Sequence, residues 1–307
     1  MQTILGAGGS IGTELAKELI NYTKDIRLVS RNPKKVNSTD TLFSADLTNG
    51  AQIEQAIKGS EVCYVTVGFE YKLSVWKKHW VPFIQHVISA CEKHHCRLVF
   101  FDNMYALNEN SLNPILESAP LNPSSHKGQV RAEVNRALMK AIEEKKVDII
   151  IARAPDFFGA TKIQNSLLMN LVYYNFKKNK SAQWFCNANM PHSMGYTPEL
   201  AKGTALLGNT IDAYHQIWNL PVCSKAPTGN EWAALFANAM QVKNKMTVLP
   251  AWMLKIAGLF VPVLGEMYEM KYQYDRPYIF DSSKYNKRFS YTPISNEEAI
   301  KDLLNKL

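Results

Sequence analysis

The residues best suited to chemistry come at the start of the chain. Gly6-Ala7-Gly8-Gly9-Ser10-Ile11-Gly12 follows the apolar run Thr3-Ile4-Leu5 and precedes a segment of helical periodicity. Glycines at that spacing between a strand and a helix suit a phosphate cradle. Gly6 permits the tight turn, Gly9 lets backbone approach a pyrophosphate, and Gly12 lets helix and strand pack closely. The helix N-terminus at Ser10 and Ile11 adds free N–H groups and the positive end of a dipole. About 20 residues on, a dinucleotide site that takes NAD normally places an acid against the ribose 2′-OH. Here that region reads Arg27-Leu28-Val29-Ser30-Arg31-Asn32, without an acid. Arg31, with Ser30 beside it, suits a 2′-phosphate through bidentate or stacked contact. The expected cofactor is NADP(H) in preference to NAD(H).

A sheet has to hold these groups. Candidate strands are Thr3–Leu5, Ile26–Ser30, Thr41–Phe43, Glu61–Val67, Arg97–Phe101 and Val147–Arg153. Runs such as Leu98-Val99-Phe100-Phe101 and Ile149-Ile150-Ile151 are apolar throughout, as strands covered on both faces are. Amphipathic segments alternate with them at Ile11–Asn21, Gln52–Lys58, Leu73–Lys93 and Gly128–Lys145. In the third, Trp76, Trp80, Phe83, Ile84, Val87 and Ile88 form one stripe at helical spacing. The alternation predicts an α/β fold, a doubly wound parallel sheet of the Rossmann type. The expected division is a nucleotide-binding domain over 1–156, completed by a strand near Gln216–Leu220. A smaller aromatic-rich lobe then occupies 157–307, wrapped over the sheet's carboxyl edge. The apolar stretch Val248 to Leu264 is broken by Pro250, Lys255, Gly258 and Pro262, so it reads as a buried helix pair, not a membrane span.

Composition narrows the class. The 307 residues are 46% apolar and 20% charged, which excludes a disordered, collagenous or coiled-coil chain. The net charge of +8 is spread over small pairs such as Lys34-Lys35, Lys77-Lys78 and Lys177-Lys178. A nucleic-acid protein would cluster them, so the charge fits an anionic small molecule better. Five scattered cysteines without a CxxC pair, and an N-terminus without a basic leader region, lead us to expect a cytoplasmic protein. The expected partners are a nucleotide cofactor and a small-molecule substrate, without nucleic acid or membrane; a homodimer is compatible with this.

Taken together, these segments resemble the extended and atypical short-chain dehydrogenase/reductases, the NAD(P)-dependent epimerase/dehydratase superfamily. The spacing Gly6-x-x-Gly9-x-x-Gly12 is that superfamily's version of the loop. Ser44-Ala45-Asp46-Leu47 looks like its adenine-binding Asp-Leu pair, and Thr66-Val67-Gly68 ends the fourth strand where the family lines the cofactor cleft. Arg153-Ala154-Pro155-Asp156-Phe157-Phe158-Gly159 and Tyr196-Thr197-Pro198-Glu199-Leu200-Ala201 resemble two later family segments. The resemblance implies cofactor contacts at Gly6, Gly9, Ser10, Ile11, Gly12, Ser30, Arg31, Asp46, Leu47, Thr66, Val67 and Gly68.

The departures concern catalysis. The family uses a Tyr as general acid/base with a Lys four residues on, which lowers its pKa. No Tyr occurs between Tyr105 and Tyr173. If Glu133 marks the register, Ser125 and Gln129 take the two places; if Lys127 is the family lysine, Pro123 replaces the tyrosine. Asn103 stands at the family's Ser/Thr position. The remaining acid/base candidates are Tyr105, Asn103, Lys127 and Asp156, at the carboxyl edge of strands five and six. Two functions follow: an oxidoreductase with unusual proton-transfer groups, or an NADP-binding sensor without turnover.

Other constellations carry less. Cys91-x-x-His94-His95-Cys96 lacks the second cluster a structural zinc site needs, so no metal is expected. There is no G-x-S-x-G elbow for a hydrolase. His192, Glu266, Glu269 and Tyr272 read more readily as ordinary polar surface than as pocket lining.

Overall fold

The computed structural model describes residues 1–258, 260 and 262–307. Its centre is a seven-stranded, wholly parallel sheet. Its strands are β1 (Gln2–Leu5), β2 (Ile26–Ser30), β3 (Thr41–Ser44), β4 (Val62–Val65), β5 (Arg97–Asp102), β6 (Ile149–Arg153) and, later in the chain, β10 (Gln216–Asn219). The spatial order is β10-β6-β5-β4-β1-β2-β3, so the chain winds outward from β1 in both directions. The expected strand near Gln216–Leu220 is β10, pairing with β6 at the sheet's edge.

Period-two alternation divides the apolar runs between two cores. Ile4, Leu28, Tyr64, Val99 and Ile150 face one way, onto α1 (Ser10–Leu19) and α6 (Thr197–Gly208). Leu5, Val29, Val65, Phe100 and Ile151 face the other. There they meet α2 (Gly50–Ile57), α3 (Leu73–Lys93) and α4 (His126–Glu143). The α3 stripe of Trp76, Trp80, Phe83, Ile84 and Val87 is buried as its spacing demands; Ile88 packs at the margin. Every strand therefore ends its carboxyl edge on the same side, at Gly6, Arg31, Thr66, Asn103 and Ala154.

A third core gathers Phe158, Trp184, Tyr196, Trp232 and Phe236. It is framed by two short parallel pairs, β7 (Phe157–Phe158) with β9 (Gly195–Tyr196), and β8 (Ala182–Phe185) with β11 (Met246–Leu249). The helices of this half are α5 (Tyr174–Lys177), α7 (Gly229–Met240), α8 (Ala251–Ala257), α9 (Pro262–Tyr268), α10 (Ser283–Phe289) and α11 (Asn296–Asn305).

The Val248–Leu264 expectation needs correcting. A helix pair is present, but Val248 lies in β11, and among the described side chains of α8 Leu254 is the buried one. Trp252, Met253, Ile256 and Phe260 are exposed, Phe260 by 81%. The breaks at Pro250 and Gly258 leave α8 too short to bury more than one side of itself. Leu259 and Val261 fall outside the described residues. No described helix is long and apolar enough to cross a membrane.

Candidate functional site

The glycine turn is shaped by what its neighbours forbid. Gly6 has φ +94°, and a Cβ there would stand 2.8 Å from the Val67 amide nitrogen. A Cβ on Gly12 would stand 2.5 Å from the Gly6 carbonyl oxygen and 2.8 Å from Thr66 Oγ1. These two glycines let β1, β4 and α1 touch. Gly9 is the N-cap of α1 and, having no side chain, caps nothing. By contrast, Asn49, Ser125, Thr228 and Ser295 cap α2, α4, α7 and α11 through side-chain oxygens. The first turn of α1 thus keeps N–H groups free for an anion. Ile11 contributes only backbone, because its side chain is buried in the sheet core; Ser10 is also buried.

A cleft of about 460 Å³ opens over this turn. Gly6, Gly9, Ser30, Arg31, Asp46, Leu47, Thr66, Val67 and Gly68 line it, as do Gly8, Thr48, Phe69, Glu70 and His79. Arg31 is exposed at its rim, and no salt bridge among the described residues engages it. Asp46 Oδ1 accepts from the Thr48 amide at 2.9 Å and the Thr48 hydroxyl at 2.8 Å. Those two bonds hold its carboxyl below the usual carboxylate range. An adenosine diphosphate half fits these walls: free N–H groups, an unpaired guanidinium and no side chain on the cradle.

The acid/base candidates lie beyond the walls of that cleft. Asn103 Oδ1 accepts from the Tyr105 amide at 3.1 Å, an Asx turn that throws Tyr105 inward after β5. The Tyr105 ring stacks on Trp76, with centroids 5.9 Å apart, and its hydroxyl is 3.4 Å from that of Tyr71. Burial, with Tyr71 and Asp156 nearby, pushes the Tyr105 phenol well up; burial does the same to Tyr71. Asp156 Oδ2 accepts from the Tyr274 hydroxyl at 2.6 Å and faces His192 Nε2 at 3.0 Å. Burial raises this carboxyl, but the hydrogen bond and charge of His192 and the Tyr274 hydroxyl outweigh it, leaving it below its ordinary value.

Lys127 has a different place from the one expected. Its side chain is fully buried, and Nζ donates to Glu269 Oε1 and to the Glu266 carbonyl oxygen, both at 2.8 Å. It also pairs with the Glu266 carboxylate and lies 4.8 Å over the Tyr71 ring. All three ammonium protons are thus engaged, which leaves none for a nicotinamide ribose in this arrangement. The two glutamates cap helices as well. Glu266 accepts from the Leu73 amide at the start of α3, and Glu269 from the His126 and Lys127 amides at the start of α4. Lys127 screens the two carboxylates from each other, and the cluster clamps α9 and its following turn across two helix N-termini. Of the alternative registers, Ser125 and Lys127 face inward and Gln129 faces solvent. Ser125 Oγ caps Gly128 at 3.1 Å and is 3.4 Å from the Tyr272 hydroxyl, whose pKa burial pushes up to about 12.

Glu266, Glu269, Tyr272 and His192 are therefore not bland surface. Tyr71, Tyr274 and His79 gave no signal in the sequence at all, since nothing local marks a residue whose partners are far along the chain.

Asp102, just before Asn103, anchors this edge. Its carboxylate is fully buried, pairs with the Arg131 guanidinium and accepts from Asn135 Nδ2 at 2.7 Å. Arg131 in turn lies 4.1 Å over the Trp80 ring. Removing one partner of a buried pair strands the other charge, so Asp102→Ala should cost about 3–5 kcal/mol of unfolding free energy in urea. A loss below about 1 kcal/mol, the range of a surface pair, would show that water reaches Arg131.

Residues 6–158 match the family model described as NAD(P)H-binding. A search of curated proteins finds no match. Among solved structures, the UDP-glucuronic acid 4-epimerase of Bacillus cereus in complex with NAD is similar with a TM-score of 0.80 at 13% identity. That alignment covers 100% of this chain and 98% of the epimerase. The UDP-glucose 4-epimerase of Thermus thermophilus, also with NAD, gives 0.79 at 14% identity, over 100% and 98% of the two chains. The dTDP-glucose 4,6-dehydratase of Streptomyces venezuelae, with NAD and TYD, gives 0.78 at 13%, over 100% and 96%. At such identities the likeness is one of fold. The chain thus carries, in residues 6–158, a domain that matches the NAD(P)H-binding family, within a whole-chain fold that it shares with these epimerases and this dehydratase.

Proposed function

We propose that the protein is an NADP(H)-dependent oxidoreductase of epimerase/dehydratase type, acting on a small carbonyl or sugar-type substrate without the family's Tyr-x-x-x-Lys pair. The observation that carries this reading is the cleft itself. It joins an uncapped, side-chain-free helix N-terminus to an unpaired Arg31. Its far end, at Val67–Glu70, leads by chain continuity to Tyr71 and, across a 3.4 Å hydroxyl contact, to Tyr105.

A nicotinamide bound at that end would exchange a hydride with the substrate. The chain's own part is proton supply and placement. Tyr105, kept neutral by its surroundings, is a donor for a developing alkoxide and a poor base. Asn103 fixes the turn that presents it, and Asp156 offers an ionised acceptor. Lys127 acts at a distance, by tying Glu266 and Glu269 to the starts of α3 and α4 beside the Tyr71 ring. The alternative is a cofactor-binding sensor without turnover. One specific observation favours it: Lys127 is fully engaged by Glu266 and Glu269 and has no proton left for a tyrosine hydroxyl.

Two measurements test the reading. Turnover of NADPH should be found in a screen of aldehydes, ketones, quinones and nucleotide sugars; tight NADPH binding with silence throughout supports the sensor instead. Arg31→Asp should weaken NADPH binding by roughly ten- to a hundred-fold, the worth of a charge-assisted contact of about 1.5–3 kcal/mol, while NADH binding holds or improves. A wild-type protein that binds NADH more tightly than NADPH would overturn the role given to Arg31.

A further inference from the structure

His192 is buried, 2% exposed, in the loop before β9, and the reaction above makes no use of it. Its ring lies between two phenols in parallel stacks: Tyr274 at 4.8 Å and 13°, Tyr278 at 4.4 Å and 13°. Trp184 of β8 closes the edge at 5.9 Å. The main chain is pinned as well, by the His192 amide to the Pro227 carbonyl and the Trp232 indole to the His192 carbonyl, both at 2.9 Å. Both ring nitrogens face acceptors. Nδ1 is 3.1 Å from the Gln273 carbonyl oxygen, which can only accept, and Nε2 is 3.0 Å from Asp156 Oδ2. A carbonyl on one side and a carboxylate on the other call for a proton on each nitrogen. Two ring faces suit the resulting cation.

Asp156 is the asymmetric partner. Oδ2 takes both the His192 and the Tyr274 hydrogen bonds. Oδ1 takes none among the described residues and is not buried, the side chain being 22% exposed. The charged and titratable groups around the pair are Tyr274 and Tyr278 from the segment after α9, and Tyr71 and Tyr105 from the ends of β4 and β5. All four are phenols held neutral by burial, so among the described groups facing Asp156 it is His192 that can supply a counter-charge.

We propose that His192 is a positioning residue: as a buried imidazolium it holds Asp156 ionised with Oδ1 open, so that a substrate meets this wall with a hydroxyl or another hydrogen-bond donor, not with an anionic group. The substrate half of this inference rests on the function proposed above; the state of His192 and Asp156 does not. A carboxylate already holding two bonds on one oxygen has its free lone pairs in a fixed direction, and an approaching carboxylate or phosphate would meet like charge.

The test is spectroscopic and needs no turnover. In ¹⁵N-histidine NMR of the wild-type protein at pH 7.5 (a value chosen about a unit above the free imidazole pKa), both His192 nitrogens should appear at imidazolium shifts. Asp156→Asn should return the ring to a neutral tautomer. His192→Phe keeps a ring between the two tyrosines but removes the cation, so the Asp156 carboxyl, followed by ¹³C, should titrate at higher pH. His192→Gln, which restores a neutral donor, should recover part of the difference. Adding glycerol to the NADP⁺-loaded protein should move the Asp156 carboxyl signal, and adding acetate should not. A neutral His192 in the wild type, or an Asp156 titration indifferent to His192→Phe, overturns the positioning role. Because the wild-type and Asp156→Asn spectra decide the first point, failure of a His192 variant to fold does not rescue it. Acetate moving the signal where glycerol does not overturns the substrate half.

Discussion

Gly9→Asp should abolish measurable NADPH binding in calorimetry while leaving the protein as stable as the wild type, or more so. The two effects have opposite signs for one reason. Gly9 is the N-cap of α1 in extended geometry, φ −82° and ψ 172°, with no side-chain bond to the first turn. Aspartate is among the best residues for that place: its carboxylate accepts from the free N–H groups and opposes the dipole, worth about 0.5–2 kcal/mol to the helix. Those are the same N–H groups a pyrophosphate would take. The new Cβ, 3.3 Å from the Gly6 carbonyl oxygen, is tight but tolerable with a small shift. The added negative charge then faces the diphosphate at close range. Thermal unfolding and calorimetry on one preparation separate the effects. Retention of NADPH affinity within tenfold, about 1.4 kcal/mol, would remove the glycine turn from the cofactor site.

Tyr105→Phe should lower kcat by about 10²–10⁴ on whichever substrate the screen identifies, the usual share of a general acid, and change NADPH affinity far less. The phenyl ring keeps the stack on Trp76 and loses only the hydroxyl that meets Tyr71. The pH profile carries its own sign. Tyr105 is pushed above its ordinary value chiefly by burial, so the donor form persists through neutrality and beyond. Reduction by the wild type should therefore show no fall attributable to this phenol between about pH 6 and about pH 9, below the free tyrosine pKa of about 10. The family's lysine-activated tyrosine, by contrast, loses its proton earlier. A rate unchanged in Tyr105→Phe would assign the proton to Tyr71 or Tyr272 and confine Tyr105 to packing.

Nearly all of the nucleotide half was legible in the sequence because its signals are local. The strands of the sheet were expected within a few residues of where they lie, and α3 runs over Leu73–Lys93, the same bounds its stripe indicated. A doubly covered parallel strand has to be apolar at consecutive positions, and a glycine turn has to follow one immediately, so periodicity and adjacency suffice. Arg31, Asp46, Thr66 and Gly68 share one cleft because each stands just beyond a strand of the same parallel sheet.

The other half resisted for the complementary reason. Lys127 looked like a cofactor lysine, but what it does depends on two carboxylates 139 and 142 positions away, carried by α9 and the turn after it. His192 and Tyr274 acquired meaning only beside Asp156, 36 and 118 positions distant. The apolar hairpin that looked buried turned out to have an exposed face, since burial depends on what the rest of the chain leaves to cover it. The sequence by itself determined the sheet, the glycine turn and the basic residue just beyond the second strand, all set by short-range sterics and strand-to-helix adjacency. Only the tertiary structure decided which ionisable groups meet around Tyr105 and Asp156, because charges choose their partners through the fold and leave no period in the sequence.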